Sequence, residues 1–235
     1  MTASTACHRG FTLVEMSIVL VVLGLILSAL ASPLSAQIEA GRIRETRAQL
    51  REIREALLGF ALMHGRLPCP ADPAVGTELL VNGRCAQTGG TLPWVDLGVK
   101  GLDAWGSRFS YQVAGELADT DPLTVGGCMV AAPAGVSFSL CAQGDIQISD
   151  GEQFSAVGLP AVVISHGANR RGAFDASGQL IAVGEGLEAE NANFDALIVN
   201  RPLTEIKGEI VFDDLVEWLP MPLLMVRMVA AGKLP

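Results

Sequence analysis

Ser165 and His166 are adjacent, and together they offer a nucleophile and a base. They end the apolar segment "PAVVIS", which is typical of a strand, and Gly-Ala-Asn follows as a turn. Adjacent residues of a strand point to opposite faces, so these two side chains cannot pair directly. The G-x-S-x-G turn of serine hydrolases is absent from the sequence. We interpret the pair as part of a structural turn and expect the protein not to be an enzyme.

Carboxylates that could bind a cation occur in two places, the neighbours Asp213 and Asp214 and a loop with Glu185, Glu188, Glu190 and Asp195. The sequence has no EF-hand pattern. Asp214 and Glu217 have the spacing of a helix capping box, which we prefer to a metal site for this pair. The acidic loop is typical of a solvated turn. No metal ligand and no cofactor is therefore expected.

Cysteines are the third group of reactive side chains. Cys7 precedes a long apolar run, and the other four form an even set, namely Cys69, Cys85, Cys128 and Cys141. Their spacings fit no zinc site, and an even set favours disulfides in an oxidising compartment. A hairpin that turns at Ala134 and Gly135 places Cys128 opposite Cys141. Of the three possible pairings we favour Cys69–Cys85 with Cys128–Cys141.

One charge, Glu15, interrupts the apolar run at residues 11–31. As a helix this run is roughly 31 Å long, about one hydrocarbon core. A carboxylate there costs a few kcal/mol, and such residues are usually functional. A conventional signal peptide, cleaved near Ala31, and a plain membrane anchor both leave Glu15 unexplained. Arg9 before the run predicts a cytoplasmic N-terminus.

The stretch "RGFTLVEMSIVLVVLGLIL" resembles the N-terminus of type IV pilins and type II secretion pseudopilins. In that family a prepilin peptidase cuts after the glycine, here Gly10, and the new first residue, here Phe11, is N-methylated. The fifth residue of the mature chain is a glutamate, here Glu15, which is thought to pair with the terminal amine of a neighbouring subunit. A buried charge is tolerable when it is paired. The resemblance therefore implies that Glu15 sets the register of filament assembly.

The resemblance also implies a location and partners. The protein would span the bacterial inner membrane once, with its N-terminus cytoplasmic and its head periplasmic, before it joins a periplasmic or surface filament. Its partners would be prepilin peptidase, other pilin or pseudopilin subunits, the inner-membrane assembly platform and membrane lipid. Some pseudopilins bind calcium in C-terminal loops, which makes calcium the alternative to the expectation of no cofactor. A net charge of −9 argues against nucleic acid as a partner.

The elements that position these residues divide the chain into four segments: a leader (1–10), a transmembrane or filament-core helix (11–33), its amphipathic continuation (34–64) and a periplasmic head (65–235). The continuation is predicted by apolar residues at steps of three and four, among them Ile43, Leu50, Ile53, Leu57 and Phe60. Pro33 allows a kink without a break. Gly65 and Pro68 predict the end of the helix.

Beyond the helix, residues 66–104 read as a long loop that a disulfide would tether. Short strands are expected next, in "WGSRFSYQV", "PAVVIS", "GQLIAV", "FDALIV" and "GEIVF". The C-terminal residues 214–231 read as two short helices interrupted by Pro220 and Pro222. The fold class predicted is α+β, a pilin-like fold with a long hydrophobic-then-amphipathic helix packed on a small antiparallel β-sheet head.

These patterns predict a pilin-like or pseudopilin structural subunit, processed by prepilin peptidase and assembled into a type IV pilus or type II secretion pseudopilus. The large head suggests a minor component. The alternative is a membrane-anchored periplasmic binding or enzymatic domain that uses the helix only as a tether. A secreted protein with a cleaved conventional signal peptide is the third reading.

Overall fold

A computed structural model of the protein describes residues 12–120, 133–206 and 208–235, with the backbone alone described for residues 27–34. The chain forms two compact units, Met1–Arg42 and Ile43–Pro235. The second unit is called the head unit below. It begins within the long N-terminal helix, whereas the sequence analysis places the start of the head at residue 65. It contains every strand that the described residues form.

The first element, α1, is an α-helix at Leu13–His64. It continues through Pro33, although this residue lacks the N–H that a helical hydrogen bond needs. It ends where Gly65 adopts a φ of +70°, a left-handed conformation that glycine adopts at helix ends. In the head unit its buried face carries apolar side chains at the predicted spacing, namely Leu50, Ile53, Leu57, Leu58 and Ala61.

The main sheet has four strands in the spatial order β11-β7-β4-β3. They are β3 (Gly89–Thr91), β4 (Ser110–Val113), β7 (Ala161–Ser165) and β11 (Leu215–Leu219). All three neighbouring pairs are antiparallel. Strand β7 is buried along its whole length because both faces of the sheet are covered.

A second sheet has the order β6-β5-β8, with β5 at Ile146–Ser149, β6 at Phe154–Leu159 and β8 at Leu197–Val199. The β5–β6 pair is antiparallel and the β5–β8 pair is parallel. Two small ribbons are also present: β1 (Leu80–Val81) with β2 (Arg84–Cys85), and β9 (Thr204–Ile206) with β10 (Glu209–Phe212).

The described residues form four further helices: α2 (Trp94–Leu97), α3 (Gly115–Ala118), α4 (Glu188–Ala192) and α5 (Met221–Ala230). Helix α5 agrees with the predicted second C-terminal helix. With helices and mainly antiparallel sheets, the head unit has the α+β class that the sequence predicts.

Two hydrophobic cores lie on opposite faces of the main sheet. Tyr111 and Val163 face the core that includes the buried side of α1. Val162 and Ile164 face a second core, which the second sheet contributes to through Ile148. This alternation follows from the two-residue period of a strand. The head unit is therefore layered as helix, main sheet and second sheet.

The predicted capping box at Asp214 and Glu217 is wrong. The residues that follow Asp214 form β11 rather than a helix, and Glu217 lies opposite Val163 of β7. Glu217 and Leu219 share one face of the strand, while Trp218 lies on the other. Both faces pack on a core, so strand pairing with β7 overrides the local helical signal.

Two predicted strands are also absent from the described part of the chain. The turn at Ala134 and Gly135 forms, but residues 136–141 that follow it are not a strand, and Cys128 lies outside the described residues. In "GQLIAV", Leu180 and Ala182 form only isolated bridges. The segment is bounded by turns and lacks a neighbour long enough for a ladder.

The predicted loop at residues 66–104 contains β1, β2, β3 and α2. Its disulfide joins Cys69 and Cys85, the pairing that the sequence favoured. Arg66 and Glu78 form an ion pair inside the same segment, with Nη2 and Oε1 2.6 Å apart. The loop is thus held by a covalent bond and by a bidentate ion pair.

Candidate functional site

Buried polar side chains meet where β4, β7 and the start of β11 adjoin. Ser110, His166 and Asp214 are 1%, 0% and 3% exposed. His166 Nε2 lies 2.9 Å from Ser110 Oγ, and His166 Nδ1 lies 3.4 Å from Asp214 Oδ1. Serine, histidine and carboxylate in this order also make a hydrolase triad. Burial keeps a substrate from Ser110 Oγ, so the arrangement in this conformation is that of a structural network.

The Ser165 side chain lies on the face of β7 that is opposite to this network. Its hydroxyl donates to Asp103 Oδ2 over 2.7 Å. The other Asp103 oxygen accepts the backbone N–H groups of Trp105 and Ser107, each at 2.9 Å. Burial raises the pKa of the Asp103 carboxyl, and these hydrogen bonds offset only part of that effect. Ser165 and His166 therefore serve separate networks, as the geometry of a strand requires.

Three buried carboxylates form a cluster beside His166. Glu188 of α4 and the adjacent Asp213 and Asp214 place one oxygen each within 4.8 Å of the others. Asp213 Oδ2 accepts the N–H groups of Ala168 and Asn169. We refer to Glu188, Asp213 and Asp214 below as the carboxylate cluster.

Gly167 permits the loop after β7 to approach the carboxylate cluster. Its φ is +55°, and a Cβ at this position would lie 2.5 Å from Asp213 Cγ. No L-residue side chain fits there without displacing the loop. The glycine is thus a condition for the two backbone hydrogen bonds that Asp213 accepts.

Side-chain amides donate hydrogen bonds to some of the oxygens of the carboxylate cluster. Asn169 Nδ2 donates to both Glu188 oxygens, at 2.8 and 3.0 Å. Asn191 Nδ2 donates to Asp214 Oδ2 at 2.7 Å. Among the described residues, however, Asp213 Oδ1 is buried and accepts no hydrogen bond, and the buried Asp214 Oδ1 faces only His166 Nδ1, at 3.4 Å. Buried oxygens without a donor are costly and are the atoms that a cation would satisfy.

The electrostatics of the cluster favour added positive charge. Burial raises the pKa of Glu188 to about 7, and the neighbouring Asp214 charge adds to the shift. Burial also raises the pKa of Asp213. Burial lowers the pKa of His166, but the Asp214 carboxylate beside it outweighs burial and raises it overall. Each shift favours the protonated form of a group where negative charges are crowded.

The N-terminal end of α1 holds the residues that the sequence singled out for assembly. Thr12 Oγ1 accepts the N–H of Glu15 at 3.2 Å, and the Thr12 carbonyl accepts the N–H of Met16 at 3.2 Å. A threonine three residues before a glutamate is the capping-box spacing. Glu15 therefore lies in the first helical turn, where the helix dipole favours a negative charge. Its side chain is exposed.

Apolar side chains cover every side of the helix after Glu15. Exposed large residues between positions 13 and 26 are Leu13, Val14, Met16, Ile18, Val19, Leu20, Val21, Val22, Leu23, Leu25 and Ile26. An all-round apolar helix needs an apolar environment, either lipid or other helices. Exposure of this segment in a single chain thus indicates a surface that is covered in the working state.

Comparisons with known proteins agree with this arrangement. Residues 5–31 match the family model described as the prokaryotic N-terminal methylation motif. The type II secretion system core protein G of Xanthomonas campestris pv. campestris is 26% identical over 126 residues, which are 52% of this chain and 81% of that protein. No solved structure matches the chain.

The chain is a pilin- or pseudopilin-like protein. The motif and the similarity support a structural subunit of the kind that this family supplies to filaments. Gly10 and Phe11, the expected cleavage residues, lie outside the described part of the pilin-like protein. Glu15 is described and occupies the helix start. In the described residues, no helix combines the length and the apolarity of a membrane span.

The remaining predicted sites of this pilin-like protein differ in outcome. Cys69 and Cys85 are joined, and Cys141 is also disulfide-bonded, but its expected partner Cys128 lies outside the described residues. The C-terminal acidic pair and Glu188 of the acidic loop come together. The exposed Glu185 instead lies 3.4 Å from an Arg171 nitrogen.

Sequence reasoning missed Ser110, Asn169 and Asn191, which complete the network around His166. One signal was available, because Ser110 and Gln112 are polar residues on the strand face that alternates with Tyr111. A polar residue on a face that packs on a core needs a buried partner. The sequence alone does not indicate which residue that partner is.

Proposed function

We propose that this pilin-like protein is a filament subunit of a type II secretion pseudopilus or a type IV pilus, and not an enzyme. A prepilin peptidase cuts between Gly10 and Phe11, and Phe11 is then N-methylated. The match of residues 5–31 to the methylation motif supports this processing. The similarity to a type II secretion system core protein supports the filament.

Glu15 is the observation that carries the proposal. It is the only charged residue between positions 12 and 31. Within the described residues its carboxylate has no ion-pair partner, although it lies next to an apolar surface. Cleavage after Gly10 places a new amine four residues before it. Pairing Glu15 with the amine of a neighbouring subunit compensates the cost of burying the carboxylate among packed helices.

The apolar surface of α1 supports a membrane stage before assembly. We propose that residues 11–33 hold the protein in the bacterial inner membrane, with the head unit in the periplasm. The assembly platform then transfers the subunit into the filament, where residues 13–26 pack against neighbouring helices. Both environments cover the same apolar side chains. A disulfide in the head unit fits an oxidising periplasm.

The test compares Glu15→Gln with Glu52→Gln in cells that contain the assembly machinery. Glu52 is exposed on the same helix, so its variant controls for the loss of one charge. Loss of a buried pair costs about 3 kcal/mol or more, which predicts about a hundredfold less Glu15→Gln in the sheared filament fraction. Glu52→Gln should assemble normally. Equal assembly of both variants would support the alternative, a tethered periplasmic domain.

Mass spectrometry of the mature N-terminus tests processing separately. The proposal predicts N-methylated Phe11 as the first residue. A mature chain that begins at Ser32 would identify a conventional signal peptide and refute the proposal. An unprocessed chain that begins at Met1 would refute the peptidase step.

We also propose that the carboxylate cluster binds a divalent cation. The supporting observation is the buried Asp213 Oδ1, which accepts no hydrogen bond among the described residues and lies beside two further buried carboxylates. Carboxylate oxygens suit hard cations, and calcium tolerates the irregular geometry of three carboxylates better than magnesium does. A cation would balance charges that otherwise repel one another in a buried setting. This role is structural and adds to the filament function.

Thermal unfolding of the full-length protein in detergent tests the cation. After treatment with EDTA, calcium at a hundred times its dissociation constant should stabilise the head by about 2.7 kcal/mol. Asp213→Asn should remove this response. Asp175→Asn, a change of a half-buried turn carboxylate outside the cluster, should keep it. A calcium response that survives Asp213→Asn, or no response in the parent protein, would contradict the proposal.

A further inference from the structure

His166 faces the carboxylate cluster through one of its two ring nitrogens. The His166 and Asp214 side chains are both 0% exposed, and His166 Nδ1 lies 3.4 Å from Asp214 Oδ1. Neither atom makes a hydrogen bond among the described residues. A buried polar atom without a partner is costly, and hydrogen bonds that are long in an unloaded site often tighten when the site is loaded. The contact is therefore available to a state in which Asp214 binds a cation.

The imidazole ring is fixed on its other sides. Ser110 Oγ of β4 lies 2.9 Å from His166 Nε2. Gly172, which has a φ of +85°, lets the loop after β7 close on the ring, since a Cβ there would lie 3.2 Å from His166 Cε1. The same Cβ would lie 2.6 Å from the Cβ of Ala192 in α4. Strand, loop and helix thus hold the ring so that Nδ1 stays next to Asp214.

The partners of the two nitrogens determine which nitrogen carries the proton in the neutral ring. A serine hydroxyl can donate a hydrogen bond, whereas an ionised carboxylate only accepts one. Ser110 Oγ therefore donates to Nε2, and Nδ1 carries the proton and faces the Asp214 carboxylate. The other Asp214 oxygen accepts Asn191 Nδ2 at 2.7 Å. Asp214 is thus oriented from two directions, by a ring and by an amide.

We propose that His166 is a positioning residue for a divalent cation at the carboxylate cluster. This inference rests on the proposed cation binding and adds a residue to it. In the described part of the chain, the oxygens that converge are those of Glu188, Asp213 and Asp214, and His166 is outside this group. The ring thus acts on the cation through Asp214, by holding the carboxylate in the orientation that binding requires. Such partners of metal ligands contribute about 10- to 100-fold to metal affinity.

Calcium titration of the full-length protein in detergent, after treatment with EDTA, measures this contribution. His166→Gln places its amide near the Nε2 position and leaves Asp214 without a donor, so the calcium dissociation constant should rise about 10- to 100-fold. His166→Asn places an amide nitrogen near the Nδ1 position and should keep the constant within about threefold of the parent. Ser165→Ala is the matched control, because the Ser165 hydroxyl donates to Asp103 and not to the cluster. It should leave the constant unchanged.

Proton NMR of the parent protein with isotope-labelled histidine gives a test that needs no variant. Calcium should move the ring N–H resonance of His166 downfield, because the contact between Nδ1 and Asp214 Oδ1 shortens when the cation fixes the carboxylate. A resonance that stays unchanged at saturating calcium would overturn the inference. A purely structural histidine would lower the thermal stability of the calcium-free variants and leave both the resonance and the dissociation constant unaffected.

The outcomes separate this inference from the proposed cation site. Calcium binding that is lost in Asp213→Asn but unchanged in His166→Gln would overturn the role of His166 and leave the cation site intact. Equal losses in His166→Gln and His166→Asn would mean that the ring only fills space, which overturns the inference as well. Absence of calcium binding by the parent would overturn the inference together with the cation site, and the filament proposal would stand.

Discussion

The ion pair between Arg66 and Glu78 should be a main support of the head unit. Arg66 Nη1 and Nη2 donate to the two Glu78 oxygens at 2.8 and 2.6 Å. Glu78 Oε2 also accepts the backbone N–H of Cys69 at 3.0 Å. The two side chains are 10% and 16% exposed. Changing Glu78 therefore leaves both a nearly buried guanidinium and a backbone N–H without their acceptor.

The size of the effect follows from this geometry. Breaking a buried ion pair from one side costs 3–5 kcal/mol, and the slight exposure of this pair puts Glu78→Ala at about 3 kcal/mol. Arg66 keeps its hydrogen bond to the Leu67 carbonyl, which limits the loss. Glu45→Ala is the matched control, because Glu45 and Lys100 are 3.8 Å apart and mostly exposed. Exposed pairs contribute about 0–1 kcal/mol.

Urea unfolding of the full-length protein in detergent, followed by tryptophan fluorescence, measures both variants. All three tryptophans, Trp94, Trp105 and Trp218, lie in the head unit, so the signal reports on the head. The predicted loss is about 3 kcal/mol for Glu78→Ala and under about 1 kcal/mol for Glu45→Ala. Losses of equal size would refute the inference that burial makes the first pair strong.

The pH dependence gives a second check on the same pair. Burial raises the pKa of Glu78, but the Arg66 hydrogen bond and charge and the Cys69 N–H outweigh it and lower the pKa below its ordinary 4.5. A group with a lowered folded pKa stabilises the protein above its unfolded pKa and loses that contribution as pH falls through the folded value. The stability difference between parent and Glu78→Gln should thus shrink as pH falls below about 4.5. A difference independent of pH would contradict this account.

Three further changes test other contacts. Replacing Cys69 and Cys85 together by serine should cost about 3 kcal/mol, because the disulfide closes a loop with a sequence separation of 16; an unchanged urea midpoint would contradict the loop-entropy account. Tyr111→Phe leaves the buried Pro68 carbonyl without its 3.0 Å hydroxyl donor and should cost about 1–3 kcal/mol; unchanged thermal stability would mean that another donor satisfies the carbonyl. Thr12→Val should weaken the start of α1 by about 1 kcal/mol and speed amide hydrogen exchange in its first turn, whereas Thr12→Ser should not; equal exchange in both variants would contradict capping.

The helical part of the fold was predictable because its signals are local. The apolar spacing in residues 43–60 indicates which side of α1 packs on the head, and Gly65 marks its end. Both depend on residues only three or four apart. The match of Cys69 with Cys85 depended on a different argument, namely that a long loop needs a tether.

The C-terminal strand was not predictable from local patterns. Residues 214–219 contain a capping-box spacing, yet they form β11 because β7 offers an unfilled edge beside it. A strand that packs on cores at both faces also loses the alternation that would reveal it. Leu219 and Trp218 are apolar neighbours on opposite faces for this reason. Only the position of β7 in the fold decides between the predicted helix and the strand that forms.

The buried polar network around His166 was also only partly predictable from the sequence. The sequence correctly indicated that Ser165 and His166 cannot pair. It did not indicate that His166 meets Ser110, which lies 56 residues away, through the antiparallel pairing of β4 with β7. Long-range pairing of strands decides which polar groups share a core. The carboxylate cluster likewise assembles acidic residues that the sequence placed in separate loops.

The Thr12 cap makes it possible to distinguish two roles of Glu15 at the start of α1, a local one and one in the filament. In a single chain, the glutamate lies in the first turn, where the cap and the helix dipole favour it without any partner subunit. If that local role were its whole purpose, Thr12→Val and Glu15→Gln would weaken assembly by similar small factors. An amine partner in the neighbouring subunit predicts instead that Glu15→Gln is far more damaging, because it removes a charge that the filament has buried. The ratio of the two assembly defects thus measures how much of the glutamate's contribution comes from the neighbour.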